Sequence, residues 1–335
     1  MLKPNPRIVI AGAGSVGCYV GGCLRLANRP VTLLVRPRMA DIIQRHGLRL
    51  TDFEGRDRRI AAGDMALATD PGCLATADLI LVTVKSSGTA TIASTIARNA
   101  ARGAVIVSLQ NGVGNTDVLR SLIFQQTAYG GMVPFNVVQL EGGRFHRGTG
   151  GSLLVDAACE GLAQALQVEG LPVASHADMS AVMWGKLLIN LNNALNALSG
   201  VPLVQELSHP AWRRLLAASM REALDLLKAA GIQPATIEKV PPWAIPYILR
   251  LPTPLFRLVA GRMLKIDPEA RSSMWEDLQQ GRLTEIDYLQ GAVIALARTL
   301  NRPAPIATRI VAAIRKAEAE AHGSPSLLPR QLLEG

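Results

Sequence analysis

The apolar positions of this chain fall into two regimes. In the first half they come as short continuous runs, Ile8-Val9-Ile10-Ala11, Val31-Thr32-Leu33-Leu34-Val35, Leu79-Ile80-Leu81-Val82-Thr83-Val84 and Val105-Ile106-Val107-Ser108-Leu109, at α/β spacing. Such runs predict strands of a parallel sheet covered on both faces, with helices between them. Glycine-rich, less regular sequence from Tyr129 to Gly151 reads as the far edge of that sheet. Ala157 to Glu169 reads as one more helix, and Leu171-Pro172-Val173 as a short extended piece. From Asp178 the β-branched runs disappear and helical periodicity continues to Glu320. The pattern predicts an α/β fold, with a doubly wound parallel sheet in residues 1–177, an all-helical domain in residues 178–322 and a loosely ordered tail in residues 323–335.

Within the helical half, Trp184 to Leu195 places Leu187, Leu191, Leu195 and Leu198 on one side of a helix. Lys186, Asn190 and Asn193 fall on the opposite side, at i, i+4 and i+7. Solvated faces usually carry long charged residues, whereas carboxamides are poor helix formers and good hydrogen-bonding partners. This face reads either as the polar wall of a binding cleft or as an exposed face rich in Asn, and the stretch alone leaves both open. Trp212 to Ala230 reads as a helix ended by Gly231. Val240 to Met263 is apolar and broken by five prolines, which suits packed short helices, a lid or a subunit contact. Thr284 and Asp287 have the form of a capping box, with Glu285 in the first helical turn, where an acid stabilises the helix dipole.

A chain of 335 residues, 49% apolar and 18% charged, is long enough for two substantial cores. The net charge of +9 raises the question of nucleic acid, but the cations are dispersed, aromatics are 4% and no nucleic-acid motif occurs. The charge reads instead as attraction for small anions such as dinucleotide phosphates and carboxylates. Cys18, Cys23, Cys73 and Cys159 form no CxxC pair and no metal spacing with the five histidines. They read as buried small hydrophobes in a reducing compartment, with no metal. The apolar N-terminus is broken by Gly12, Gly14, Gly17, Gly21 and Gly22, lacks a signal-peptide layout, and no run is long enough to span a bilayer. The expectation is a cytoplasmic protein with no membrane partner, and a homodimer is compatible with it.

The run Ile8–Ala11 leads directly into Gly12-Ala13-Gly14-Ser15-Val16-Gly17 and then a helical pattern to Leu26. That is GxGxxG between a strand and a helix, the context of a Rossmann dinucleotide site. Its glycines permit the tight turn, the approach to a pyrophosphate and close helix–strand packing. The N–H groups of Ser15, Val16 and Gly17 at the helix start face the phosphates. Arg36, with Arg38 behind it, ends the second strand, where a cation suits the 2′-phosphate of NADP(H) and an acid would suit NAD. Lys85 and Asn111 follow the third and fourth strands, and ligands of such sheets bind beyond the carboxyl ends of strands. Asn111-Gly112 is also ordinary turn chemistry.

Four pieces together resemble the ketopantoate reductases (2-dehydropantoate 2-reductases): GAGSVG, the VTVK strand end with NG after the next strand, WGKLLIN, and SSMWEDLQQGRLTEID. The resemblance spans nearly the whole chain, and the last two motifs are its most specific part. It implies a Rossmann domain followed by a helical domain, an active site in the cleft between them, and NADPH-dependent reduction of a branched 2-oxo acid on the route to pantothenate and coenzyme A. By position, Lys186 matches the catalytic lysine and Glu285 the substrate-binding glutamate near it. Asn111, Asn190 and Ser273 match substrate contacts, Asn193 stands provisionally for another, and Arg36 matches the cation for the 2′-phosphate. Asn111 and Glu285 also border the cofactor, with Lys85 and the glycine loop.

The chemistry suits these residues. A hydride arriving at a ketone carbon builds negative charge on oxygen, which a nearby ammonium can stabilise and protonate. Three departures fall around the substrate: Ala194 and Ala270 stand where the family has asparagines, and the proline-broken segment before Arg271 is longer than in the compact members. They leave open another 2-oxo acid or the oxidative reaction on a 2-hydroxy acid, and a non-catalytic NADPH-sensing protein is the rival from a different class. Because Arg36 favours a 2′-phosphate, NADPH should bind more tightly than NADH in a side-by-side titration; equal affinities would refute that assignment.

Overall fold

The computed structural model describes residues 2–237, 240–261 and 269–333. They form two compact units, Met1–Ser180 and Ala181–Gly335. The first is built on strands β1 (Ile8–Ala11), β2 (Val31–Leu34), β3 (Leu48–Asp52), β4 (Asp57–Ile60), β5 (Ala66–Ala68), β6 (Leu79–Val82), β7 (Val105–Ser108), β8 (Thr127–Met132), β9 (Val137–Leu140), β10 (Arg144–Arg147), β11 (Leu153–Asp156) and β12 (Val173–His176). Its helices are α1 (Ser15–Leu26), α2 (Pro37–His46), α3 (Thr89–Asn99), α4 (Asn115–Leu122) and α5 (Leu162–Leu166).

Eight strands form the main sheet in the order β12-β11-β8-β7-β6-β1-β2-β5. At its centre Ile8 pairs in parallel with Val31 on one side and Leu79 on the other. Strand residues point alternately to opposite faces, and both faces are covered. Ile8, Ile10, Leu33 and Leu81 join one core with Tyr19 and Leu24 of α1. Val9, Ala11, Ile80 and Val82 join another with Ile96 of α3 and Leu119 of α4. This is the doubly wound arrangement that the continuous apolar runs implied, with one antiparallel neighbour pair, β11 beside β8.

The stretch 129–151 differs from the expectation. Only its start, the end of β8, belongs to the main sheet. β9 and β10 join β3 and β4 in a separate four-stranded sheet, ordered β4-β3-β10-β9. This sheet was hidden because its strands carry charge (Arg58, Arg59, Arg144 and Arg147) and bury mainly alternate positions, including Leu48, Leu50 and Phe145. The helix expected over 157–169 shrinks to α5. Gly161 adopts φ +80° at its start, and the Asp156 carboxylate accepts from the Ala158 N–H, holding the chain in a turn.

The second unit is helical throughout its described residues: α6 (Met179–Asn190, beginning two residues before the division), α7 (Asn192–Ser199), α8 (Leu203–Ser208), α9 (Pro210–Ala229), α10 (Ile245–Leu249), α11 (Thr253–Ala260), α12 (Ser273–Gln279), α13 (Gln290–Thr299), α14 (Pro305–Glu320) and α15 (Pro329–Leu333). Pro210 at the first turn and Gly231 (φ +70°) after the last give α9 its limits. The Ile232 N–H closes back onto the Leu227 carbonyl, a Schellman-type end. The tail is not loosely held. Ser324 Oγ donates to the Ala197 carbonyl, Leu327 N–H donates to that of Leu198, and Leu332 is buried.

The proline-broken stretch forms α10 and α11, and Arg262 and Met263 at its end lie outside the described residues. One buried cation holds it. Arg213 of α9, 1% exposed, donates to the carbonyls of Leu207, Ser208, Leu249 and Leu251 and to Thr253 Oγ, while its guanidinium lies 4.3 Å from the Phe256 ring centroid. Its five N–H donors meet five acceptors. Replacing it strands several carbonyls, so Arg213→Met should lower the unfolding free energy in urea by roughly 3 kcal/mol. A loss under about 1 kcal/mol would show that solvent readily takes its place.

Candidate functional site

The glycine loop is shaped at three positions. Gly12 has φ +84°, and a side chain there would run into Val84 just beyond β6. At Gly17 a Cβ would meet Thr83 Oγ at 2.5 Å and Ile10 at 3.0 Å, so α1 lies tight on β1 and β6. Gly14 caps α1 and is different, because nothing stands within 4 Å of where its Cβ would be. With no side chain to cap α1 and no acid in its first turn, the leading N–H groups remain for an anion. Tight packing below and open space above is the arrangement a pyrophosphate needs.

The loop is tied to its neighbours. Gly12 and Ala13 N–H donate to the Leu34 carbonyl at the end of β2, and Thr83 Oγ donates to the Gly12 carbonyl. Arg36 is exposed two residues beyond Leu34 and precedes Pro37, the first residue of α2. Lys85 is exposed just after β6. Asn111 is exposed after β7, and its carbonyl accepts from Ser86 Oγ (2.8 Å) and Asn115 Nδ2 (2.7 Å). Behind it lies a buried polar set: Gln110 Nε2 reaches Thr89 Oγ at 2.7 Å, Thr89 Oγ sits 2.8 Å from Asn115 Oδ1, and Ser108 Oγ donates to Gln110 Oε1. The loops after β6 and β7 are thus fixed through backbone atoms, while the Asn111 side chain remains at the surface. The first unit therefore gathers the glycine loop, Arg36, Lys85 and Asn111 at the carboxyl ends of β1, β2, β6 and β7.

In the second unit α6 and α7 replace the single helix expected through Leu195. Leu191 separates them while keeping right-handed helical dihedrals. Its carbonyl accepts from Nε2 of the fully buried Gln290 at 2.8 Å, and a side chain entering the helical ladder is a physical cause of such a break. Leu187, Leu191, Leu195 and Leu198 are buried as expected. On the other side Lys186 and Asn193 are half-buried, and Asn190 is 8% exposed. That side is not a solvated face. Gly185 has its own reason: a Cβ there would strike the Ala235 carbonyl, and Ala235 N–H donates to Ala181 on the same helix.

Ser273 begins α12 and is exposed, while Ser272 caps that helix by accepting from Trp275 N–H. Ser272 Oγ also donates to the Asn193 carbonyl (2.9 Å), and Ser272 N–H donates to Asn196 Oδ1 (2.8 Å). Glu285 is half-buried at the start of the short turn Ile286–Tyr288. The expected capping box does not form. Thr284 Oγ accepts from Ile286 N–H, Thr284 N–H goes to Glu318, and Asp287 pairs with Arg315. Gln290, five residues after Glu285, anchors this turn to the α6–α7 junction. Hydrogen bonds at the Leu191 and Asn193 carbonyls thus join the elements next to Glu285 and Ser273 to the α6–α7 segment that carries Lys186, Asn190 and Asn193.

Comparison with known proteins agrees with this geometry. Residues 8–158 match the family model described as ketopantoate reductase PanE/ApbA, and residues 178–318 match its C-terminal counterpart. This chain belongs to the ketopantoate reductase family. A 2-dehydropantoate 2-reductase of Halobacterium salinarum is 30% identical over 93% of this chain and 99% of its own length. The crystal structure of a PanE/ApbA family ketopantoate reductase from Ralstonia eutropha JMP134 superposes with TM-score 0.80 at 28% identity, covering 94% of this chain and 99% of that one. A D-mandelate dehydrogenase bound to NADH and anilino(oxo)acetate shares the fold at 20% identity and TM-score 0.76, over 94% and 99% of the two chains. Membership makes this protein an oxidoreductase acting on a CH–OH group, with a nicotinamide dinucleotide as its cofactor, and the glycine loop fits one.

No group of three or more metal-type ligands occurs among the described residues of this reductase. Its cysteines are unpaired, and burial pushes the thiols of Cys18 and Cys23 up to about 12. Glu206 belongs to none of the motifs. This carboxyl of α8 is fully buried and accepts from Asn196 Nδ2 at 2.6 Å. Burial pushes its pKa up to about 8, against hydrogen bonds from Asn196 and Asn192. Glu206 Oε1 and Asn192 Oδ1 are both buried acceptors without a partner, and a proton on the carboxyl turns one of them into a donor. Gln290, Ser272, Asn196 and Glu206 escaped notice because polar residues outside a motif read as surface. The only trace was Asn196 in the otherwise apolar Ala194-Leu195-Asn196-Ala197-Leu198, and Gln205-Glu206 flanked by apolar residues in Leu203-Val204-Gln205-Glu206-Leu207.

The linkage has a definite sign. Folded Glu206 keeps a proton to about pH 8 that the unfolded chain releases near its ordinary 4.5, so its stabilising contribution is complete below 4.5 and is lost as pH rises through 8. Glu206→Gln keeps one donor and one acceptor without the titration. Thermal unfolding across pH 5 to 9 should show a flatter decline for the variant than for the wild type; parallel declines would mean Glu206 does not hold the proton.

Proposed function

We propose that this protein catalyses NADPH-dependent reduction of a 2-oxo acid to a 2-hydroxy acid, with 2-dehydropantoate as preferred substrate, in the formation of pantothenate and coenzyme A. The observation that carries this reading is the half-buried Lys186 on α6, one turn from buried Asn190 and linked through Gln290 to the Glu285 turn. An ammonium set among carboxamides, with a carboxylate on a tethered segment, suits a developing alkoxide better than a structural ion pair.

When bound, the dinucleotide supplies the hydride. Ser15, Val16 and Gly17 N–H groups hold its pyrophosphate, Arg36 its 2′-phosphate, and Lys85 and Asn111 border it. Lys186 Nζ donates a proton to the carbonyl oxygen as negative charge builds there. Glu285 accepts a hydrogen bond from a substrate hydroxyl and orients the lysine. Asn190, Asn193 and Ser273 hold the substrate carboxylate.

A second reading concerns the substrate. Ala194, where the family has asparagine, is fully buried, so an amide is missing from the interior beside Asn193. Ala270 loses another amide. Two lost donors favour an acid less polar than ketopantoate, or oxidation of a 2-hydroxy acid. A panel of 2-oxo acids followed by absorbance with NADPH and NADH separates these readings, and binding without turnover of any acid would leave a sensing role. Lys186→Ala should lower kcat by about a hundredfold or more while NADPH affinity stays unchanged. An active variant would remove Lys186 from the mechanism.

A further inference from the structure

Large apolar side chains are exposed very unevenly over this molecule. Of the twelve that are exposed among the described residues, five lie between Trp243 and Val259: Trp243, Tyr247, Leu255, Leu258 and Val259. They lie on the turn Pro242–Ala244 and on α10 and α11. Trp243 and Tyr247 are one helical turn apart, and Leu255, Leu258 and Val259 fall at i, i+3 and i+4, the spacing of one helix face. Leu249 and Phe256 point the other way and are buried. These short helices thus use one apolar face for the core and present a second one outward.

The charge of the segment itself has one sign. From Val240 to Gly261 the sequence contains no Asp or Glu, and its two charged residues, Arg250 and Arg257, are both exposed. The neighbouring α9 adds exposed Arg214 and half-buried Arg221, whose guanidinium lies 5.1 Å from the Tyr247 ring centroid. Nor is the segment loosely attached. Arg213 pins the carbonyls of Leu249 and Leu251 and the hydroxyl of Thr253, so the outward face is presented by a fixed base.

We propose that this face docks on an anionic lipid surface, with Trp243, Tyr247, Leu255, Leu258 and Val259 entering the boundary between headgroups and acyl chains, and Arg250 and Arg257 meeting the lipid phosphates. An apolar helix face with tryptophan and tyrosine rings and a rim of arginines is the composition that lies in a membrane interface. A second copy is the less suitable occupant. A two-fold contact through this face brings the arginine rims of both copies together with no acid in either segment to answer them, and like charges across an interface are costly. The contact is peripheral, since no helix among the described residues is long and apolar enough to cross a membrane. It does not depend on the reaction assigned above.

Co-sedimentation of the full chain with vesicles tests this, using phosphatidylglycerol and phosphatidylcholine in about equal parts against phosphatidylcholine alone. The wild type should pellet with the anionic vesicles, less in high salt, and with a blue shift in tryptophan emission from Trp243. Leu255→Glu/Leu258→Glu should lower the bound fraction about tenfold, and Arg250→Glu/Arg257→Glu should do so for anionic vesicles in particular. These are exposed positions, and circular dichroism verifies that the variants keep the fold. Failure of the wild type to bind anionic vesicles, or binding that both variants leave unchanged, overturns the proposal. Dimerisation in sedimentation velocity that Leu255→Glu/Leu258→Glu abolishes, without vesicle binding, assigns the face to a second copy instead.

Discussion

The helical unit turns on one backbone carbonyl, that of Leu191. Nε2 of Gln290 donates to it where α6 gives way to α7, which ties the start of α13, five residues after Glu285, to the end of the helix that carries Lys186. Lys186 and Glu285 are 99 residues apart in the chain, and this bond joins the elements next to them. A buried amide with one partner on a helix junction is a precise constraint because the alternative, an unpaired donor, is costly.

The same device recurs wherever this protein fixes a loop that carries chemistry. Asn196 grips Ser272 N–H and thereby sets the start of α12, and Glu206 grips Asn196. In the first unit, Asn115 and Ser86 grip the Asn111 carbonyl. Asn196, Asn115 and Ser86 each take a backbone atom, Glu206 holds the Asn196 amide in turn, and Ser273 and Asn111 beside them are left exposed. Preorganisation of this kind favours catalysis because the reacting groups need not be ordered at the moment of reaction. Arg213 applies the same principle to α10 and α11, which carry no residue of the reductase site.

What the sequence made legible follows from what is periodic. Continuous apolar runs revealed β1, β2, β6 and β7, because a strand buried on both faces has no polar alternation to blur it. The glycine loop was legible because each glycine answers a steric demand. The small sheet of β3, β4, β9 and β10 was not, since Asp57-Arg58-Arg59-Ile60 and Arg144-Phe145-His146-Arg147 resemble surface loops until their partners are known. The break at Leu191 was invisible for a similar reason: local periodicity continues through it, and its cause lies 99 residues away at Gln290. The candidate site residues stood out through their motif, whereas the residues that hold the backbone around them are recognised only in three dimensions.

That division bears on substrate choice. Asn193 has its carbonyl fixed by Ser272, so its position is set by the same contact that begins α12 and exposes Ser273. Ala194 beside it is fully buried, and an asparagine there would need buried partners of its own. Asn196 already divides its amide between the Val201 carbonyl, Glu206 and Ser272, whereas Glu206 Oε1 and Asn192 Oδ1 are buried acceptors without a partner. An asparagine at position 194 would have to find its partners within this network. Asn193 is half-buried, and its backbone is held by Ser272 of the α12 start. On the reading proposed above, specificity is a property of the α7–α12 contact as a whole, and exchanging single residues between family members should transfer it poorly.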